Sequence, residues 1–355
     1  MADYFKERER DVNLRLREMR DTLPEFCDEF FVGVEPQTTP LTRLGYAYDL
    51  RIFFDYLVKR VRPFKGMSAD ELTLADMEKI TVTHLENYME YLTLYEFDGK
   101  ECGNGDRGKA RKISTVRSFF KYFFNKDKLS VNVAAKISLP KQREKEIIRL
   151  ERHEIEKILN AAEDGEGMSA HQRKILLNTR ARDVAILSLL LGTGIRVSEC
   201  VGLNVKDIDF DSNAFTVTRK GGSRAILYFN EDVKEALEYY IEGERKALIS
   251  RTQKLEVGDT DALFLSLQVR RICVRAVENL VKKYAAVAAP LKKISPHKLR
   301  STYGTNLYRA TGDIYMVADV LGHRDVNTTK KHYAAIEQDH RRAAAKAVTL
   351  RSGDD

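Results

Sequence analysis

The stretch FTVTRKGGSRAILYF, residues 215–229, breaks the rhythm of the chain around it. Its residues change from a helical period to that of two short strands flanking residues 220–223, and Gly221 and Gly222 relieve the backbone where the chain must reverse. On either side the period is helical. LERHEIEKILNAAE (150–163) opens a helix, and the apolar run 184–191 has the length of a buried helix turn or two. Val274, Val277, Leu280 and Val281 then return to one helix face. The C-terminal part is therefore expected to be a mixed α/β domain, predominantly helical, with one small sheet.

The N-terminal part reads as a helical bundle. Ala47, Leu50, Phe54, Leu57, Val58 and Val61 share a helix face. Thr73 can cap a second helix carrying Leu74, Met77, Leu85 and Leu92, and a third near 112–125 turns Ile113, Val116, Phe120 and Phe123 inward. Residues before Pro24 add an amphipathic helix. A polar interruption at 95–110, YEFDGKECGNGDRGKA, reads as a surface loop or a short hairpin. SLPKQREKE (138–146) has the proline and charge of an exposed linker, so the expected division is 1–137, a linker at 138–146, and 147–355. The fold class is mainly α in two domains.

Composition sets wide bounds. The 355 residues carry 60 basic and 53 acidic side chains, a net charge of +7, which permits a nucleic-acid partner without establishing one. Cys27, Cys102, Cys200 and Cys273 lack CxxC or His-rich spacing, which argues against a zinc site or a disulfide framework. The charged opening MADYFKERER has no signal-peptide core and no apolar stretch reaches membrane-span length, so the expected location is cytoplasmic, without membrane insertion.

The C-terminal half gathers groups suited to a phosphodiester. Arg196 in GTGIRVSE offers the fixed donor fork of a guanidinium, and Glu199, three residues on, can orient it. His297 and Arg300 in HKLR stand one helical turn apart, the first able to move a proton and the second to hold negative charge. Lys220 sits between the strands, where its ammonium can protonate a departing sugar oxygen. His323 in LGH and Tyr333 ten residues later complete the set, Tyr333 being the candidate nucleophile. Singly, each is more often an ordinary surface or structural residue. In the bundle, Arg107, Lys109, Arg111, Lys112, Arg117 and Lys121 form a basic cluster that either contacts DNA phosphates or is a solvated helix face.

These motifs resemble the tyrosine recombinases of the phage integrase family, especially the Xer-like bacterial recombinases. TGIRVSE, the TRKGG hairpin, HKLR, LGH and the terminal HY carry the resemblance, mainly over 180–340. It implies a helical core-DNA-binding domain and a catalytic domain in which Tyr333 is the nucleophile. Arg196 and Arg300 would bind the phosphate, and Lys220 would be the leaving-group acid. His297 would do acid–base and orienting work, with His323 supporting phosphate binding and Glu199 the site's arrangement. It further implies a 3′-phosphotyrosyl intermediate formed without ATP, cofactor or catalytic metal, and a homotetramer on two duplexes that is monomeric or weakly associated when free. In Xer-like relatives a terminal helix is exchanged between protomers, and residues 334–350 could supply one. The extended N-terminus and the 95–110 interruption resemble the layout of XerS-type single recombinases. Chromosome-dimer resolution, with nucleoid association, is the expected role. Integration or excision of a mobile element and non-catalytic DNA binding are the alternatives, and accessory division or mobile-element proteins are candidate partners.

Overall fold

The computed structural model describes residues 2–140, 148–219, 222–251, 260–322 and 326. The chain divides into two compact units, one from Ala2 to Lys145 and the other from Glu146 onward. Both are predominantly helical; the first holds a two-stranded hairpin and the second a three-stranded sheet. Residues 141–146 of the expected linker, and residue 147 after it, lie outside the described residues. Among those described, no helix is long and apolar enough to cross a membrane.

The N-terminal unit consists of α1 (Ala2–Arg20), α2 (Cys27–Gly33), α3 (Pro40–Arg60), α4 (Leu74–Met77), α5 (Val82–Tyr91), the hairpin β1 (Tyr95–Phe97) and β2 (Lys100–Cys102), and α6 (Asp106–Asn125). Pro40 opens α3 at a position that needs no N–H donor, and the Thr39 hydroxyl accepts the Thr42 N–H at 3.3 Å. The stripe from Leu74 to Leu92, expected as one helix, is two. Thr81 supplies a second start signal by accepting the His84 N–H, and the His84 ring accepts the Thr81 N–H in return. The interruption at 95–110 is a hairpin, paired Tyr95 with Cys102 and Phe97 with Lys100, and α6 begins at Asp106, earlier than expected. The core is aromatic: Phe30, Phe53, Phe54, Phe119, Phe120 and Phe123 are at most 1% exposed. Many meet edge to face, as Phe30 and Phe119 do at 5.4 Å. Each such side chain contributes about 1.5–3 kcal/mol by leaving water.

The C-terminal unit runs α7 (Arg152–Asp164), α8 (Ala170–Leu176), α9 (Arg180–Thr193), α10 (Val197–Gly202), β3 (Ile208–Asp209), β4 (Ala214–Thr218), β5 (Arg224–Tyr228) and α11 (Glu231–Tyr239). A π-helical turn, Tyr240–Arg245, leads into α12 (Lys246–Ser250), followed by α13 (Val274–Ala288), α14 (Pro296–Thr311) and α15 (Ile314–Leu321). Helix α9 is central, packed on α7, α11, α13 and α14. Its Ala185, Ile186, Leu187, Leu189 and Leu190 are all buried, which accounts for an apolar run with no polar face. Asp183, 1% exposed, pins α9 to α13 by accepting from the Tyr284 hydroxyl at 2.7 Å and the Lys283 ammonium at 3.0 Å. The sheet order is β3-β4-β5, all antiparallel, and the β4–β5 ladder ends at the pair Thr218–Arg224. The turn beyond that pair holds Lys220 and Gly221, both outside the described residues.

Candidate active site

Two helix C-termini build the site. Helix α9 ends on Gly194 in the left-handed region (φ 62°), and a Cβ there would lie 2.4 Å from the Tyr303 ring. Only glycine meets both conditions. The reversal places Arg196 at the start of α10, where its side chain is 37% exposed. The Glu199 carboxylate, 5% exposed, accepts from Arg196 Nη1 at 2.8 Å with one oxygen and from the Arg196 backbone N–H at 3.1 Å with the other. Glu199 thus braces the guanidinium from behind.

Helix α14 starts at Pro296, which places His297 in its first turn and Arg300 one turn on. His297 is exposed, whereas Arg300 is 6% exposed. Arg300 Nη1 donates to the Gly194 carbonyl at 2.5 Å and Nη2 to the Leu321 carbonyl. Arg196 Nη2 reaches the same Leu321 oxygen at 3.3 Å and the Gly322 oxygen at 3.1 Å. The last turn of a helix leaves carbonyls without intrahelical partners and carries the negative end of its dipole, so the end of α15 is a natural anchor for cations.

The consequence is a pair of guanidiniums sharing one carbonyl oxygen. Like charges held this close repel, and an anion bridging them converts the repulsion into attraction. A phosphate suits them because its oxygens match the forked donor geometry. As charge builds on those oxygens during displacement at phosphorus, fixed donors stabilise the transition state more than the bound ester.

Among the predicted residues, the structure brings together Arg196, Glu199 and Arg300, with His297 on the same helix as Arg300. Lys220, His323 and Tyr333 lie outside the described residues; His323 directly follows Gly322, whose carbonyl Arg196 holds. Sequence reasoning passed over Arg219, whose Nη2 donates to the Val320 carbonyl at 3.0 Å in that same turn of α15. It also passed over Tyr303, whose ring lies against Gly194 beside the arginine pair and whose phenol is pushed up by burial.

The basic cluster of the N-terminal unit divides in two. Arg107, Arg111 and Lys121 are exposed on α6, at spacings that align them on one face with Ser114 and Ser118. Lys109 is half-buried and bonded to the Thr93 hydroxyl at 2.8 Å, and Arg117 donates to the carbonyls of Ala134 and Ile137. Lys112 is 6% exposed, bonded to Asn104 and 3.8 Å from Asp49, so its charge serves the interior and not the surface. Burial pushes its ammonium down, against the pull of Asp49. Asp49 on α3 is fully buried and accepts from Arg111 Nη1 at 2.6 Å and from the Thr115 hydroxyl at 2.8 Å. Burial pushes its carboxyl up, opposed first by Arg111. The aspartate fixes one end of an arginine whose side chain is otherwise 56% exposed.

Comparison with known proteins adds four findings. The Phage integrase family profile matches residues 148–340. The tyrosine recombinase XerC of Caldanaerobacter subterraneus subsp. tengcongensis is 33% identical over 318 residues, covering 86% of this chain and 82% of that protein. In fold, the chain is similar to the XerH site-specific recombinase in a post-cleavage complex with palindromic difH substrate, with a TM-score of 0.62 at 20% identity over 83% of this chain and 77% of that one. It is similarly close to the Tn1549 transposon integrase in complex with circular intermediate DNA, with a TM-score of 0.60 at 18% identity over 86% and 94% of the two chains.

Proposed function

The chain belongs to the phage integrase family of tyrosine recombinases, an enzyme family of DNA strand breakage and rejoining, and from that premise we propose that it recombines specific duplex DNA sites through Tyr333. The Tyr333 oxygen, giving its phenolic proton to His297, attacks the scissile phosphorus, the bond to the 5′-oxygen breaks, and Lys220 gives that oxygen its proton. The products are a 3′-phosphotyrosyl bond and a free 5′-hydroxyl. A 5′-hydroxyl from the partner duplex then attacks the linkage and releases the tyrosine, so no bond energy is lost to water. Arg196 and Arg300 hold the nonbridging oxygens, with His297 and His323 assisting. The observation that carries this reading is the shared Leu321 carbonyl, which holds two guanidiniums at one point next to the segment leading to His323 and Tyr333.

The finer reading is chromosome-dimer resolution by a Xer-like recombinase, of the XerS type that works alone, as four copies on two duplexes. The XerC relative, matched over most of both chains, supports the Xer-like part of this reading; the XerS part rests on the layout of the sequence. On this reading the protein is cytoplasmic and nucleoid-associated, and free protein is monomeric or weakly associated, with residues 334–350 supplying the exchanged contact. The near-equal fold likeness to a transposon integrase supports the second reading, integration or excision of a mobile element. Two differently labelled duplexes carrying a candidate chromosomal site separate these readings. Exchanged products from the protein alone are expected. Exchange only at mobile-element ends favours the second reading, and no exchange at either site, with DNA bound, leaves a binding protein.

DNA engagement by α6 has its own test. Arg111→Gln is expected to weaken binding about tenfold and to flatten the slope of log K against log salt by about 0.9. Asp49→Asn removes a negative charge, which alone would favour DNA, yet it is expected to weaken binding because Arg111 loses its anchor. In the Arg111→Gln background the same substitution is expected to change binding little. A gel-shift titration of the four proteins across salt checks both.

A further inference from the structure

We infer that Arg219 is a positioning residue that fastens the base of the β4–β5 hairpin to the end of α15, and through it sets the reach of Lys220. The inference rests on the role proposed above for Lys220. The hairpin's turn is closed by backbone bonds, Arg219 N–H to Ser223 O at 2.7 Å and Gly222 N–H to Arg219 O at 3.0 Å. From the start of that turn the Arg219 side chain crosses to α15 and donates to the Val320 carbonyl at 3.0 Å. It lies flat on Gly322: a Cβ there would stand 2.3 Å from Nη1, 2.4 Å from Cζ and 2.9 Å from Nε. Gly322 also has a φ of 59°, so the same glycine ends the helix and makes room for the guanidinium.

Three successive carbonyls therefore receive three arginines from three elements. Val320 receives Arg219, Leu321 receives Arg196 and Arg300, and Gly322 receives Arg196. Two of these arginines belong to the phosphate clamp. The third comes from a sheet of β3, β4 and β5 in which β5 pairs with β4 alone, a poor platform for placing a side chain. A leaving-group acid must meet its oxygen while the clamp holds the other oxygens of that phosphate, and displacement of about 1 Å can cost on the order of a hundredfold in rate. By bonding to the turn that anchors the clamp, Arg219 makes hairpin and clamp one mechanical unit. Lys220 follows Arg219 directly in the chain, so fixing one limits where the other can go.

The test uses a suicide duplex in two forms, one with the ordinary 5′-oxygen at the scissile phosphate and one with sulfur in its place. A thiolate leaves without a proton, so the sulfur form bypasses the acid. On the oxygen form, Arg219→Ala and Arg219→Gln are expected to form covalent adduct about a hundredfold more slowly than wild type. On the sulfur form both are expected to come within about threefold of wild type, as Lys220→Ala does, and Arg219→Ala with Lys220→Ala is expected to be no slower than Lys220→Ala alone. Wild-type rates for the Arg219 variants on the oxygen form, or equal slowing of Arg219→Gln on both forms, overturn the inference. Should Arg219→Ala fail to bind DNA, the rates of Arg219→Gln on the two forms decide the outcome. Failure of the underlying reading is distinct: wild type then yields no adduct on either form, or Lys220→Ala is not rescued by sulfur.

Discussion

Tyr333→Phe is expected to yield no covalent protein–DNA adduct, while affinity for the uncut site stays within about twofold of wild type. The substitution deletes one oxygen and leaves the ring, so any effect on folding or docking is expected to be small compared with loss of the proposed nucleophile. Tyr303→Phe is the matched control. Tyr303 is the described tyrosine lying against Gly194, beside the arginine pair. Burial pushes its phenol up, which disfavours the phenolate a nucleophile must develop, so Tyr303→Phe is expected to form adduct at the wild-type rate. Denaturing gels of a labelled suicide duplex read both variants. An adduct surviving in Tyr333→Phe contradicts the assignment.

Arg300→Lys is expected to slow adduct formation about 100- to 1,000-fold with little change in site affinity, a loss of about 2.7–4 kcal/mol from the transition state. The reason lies in the fork. Arg300 is 6% exposed and spans the Gly194 and Leu321 carbonyls with two nitrogens of one rigid plane. An ammonium is a point donor on a flexible stem and cannot hold both while presenting a further edge to phosphate. Arg196→Lys is expected to lose less, since Arg196 is 37% exposed and its Glu199 partner can still take an ammonium. Single-turnover rates at saturating protein check the order. Equal rates for wild type and Arg300→Lys contradict the clamp.

Much of the fold was legible because its signals are local. The alternation at 215–229 announced the hairpin, and the all-round apolar run at 184–191 announced a helix with no solvent face. The stripe from Leu74 to Leu92 misled because apolar spacing persists across a break that only the cap at Thr81 marks. Lys112 misled differently: a basic residue in a basic run reads as surface until a buried aspartate on another helix is known to face it. Of the site, Arg196 with Glu199 and His297 with Arg300 stand in compact motifs, so each pair could be read from its spacing, whereas the joining of the two pairs followed from the family resemblance. Arg219 could not, because its partner is a backbone carbonyl 101 residues away and carbonyls leave no mark on a sequence. The only trace was Gly322, whose lack of a side chain makes the approach possible.

Strand exchange through Tyr333 is tested most directly by the chemical identity of the trapped bond. Wild-type protein held on a suicide duplex is digested with trypsin, and the DNA-linked peptide is sequenced by mass spectrometry. One linked peptide is expected, carrying the 3′-phosphate on Tyr333. A phosphate on Tyr303 or any other residue, or a cleaved duplex with no peptide attached, contradicts that chemistry.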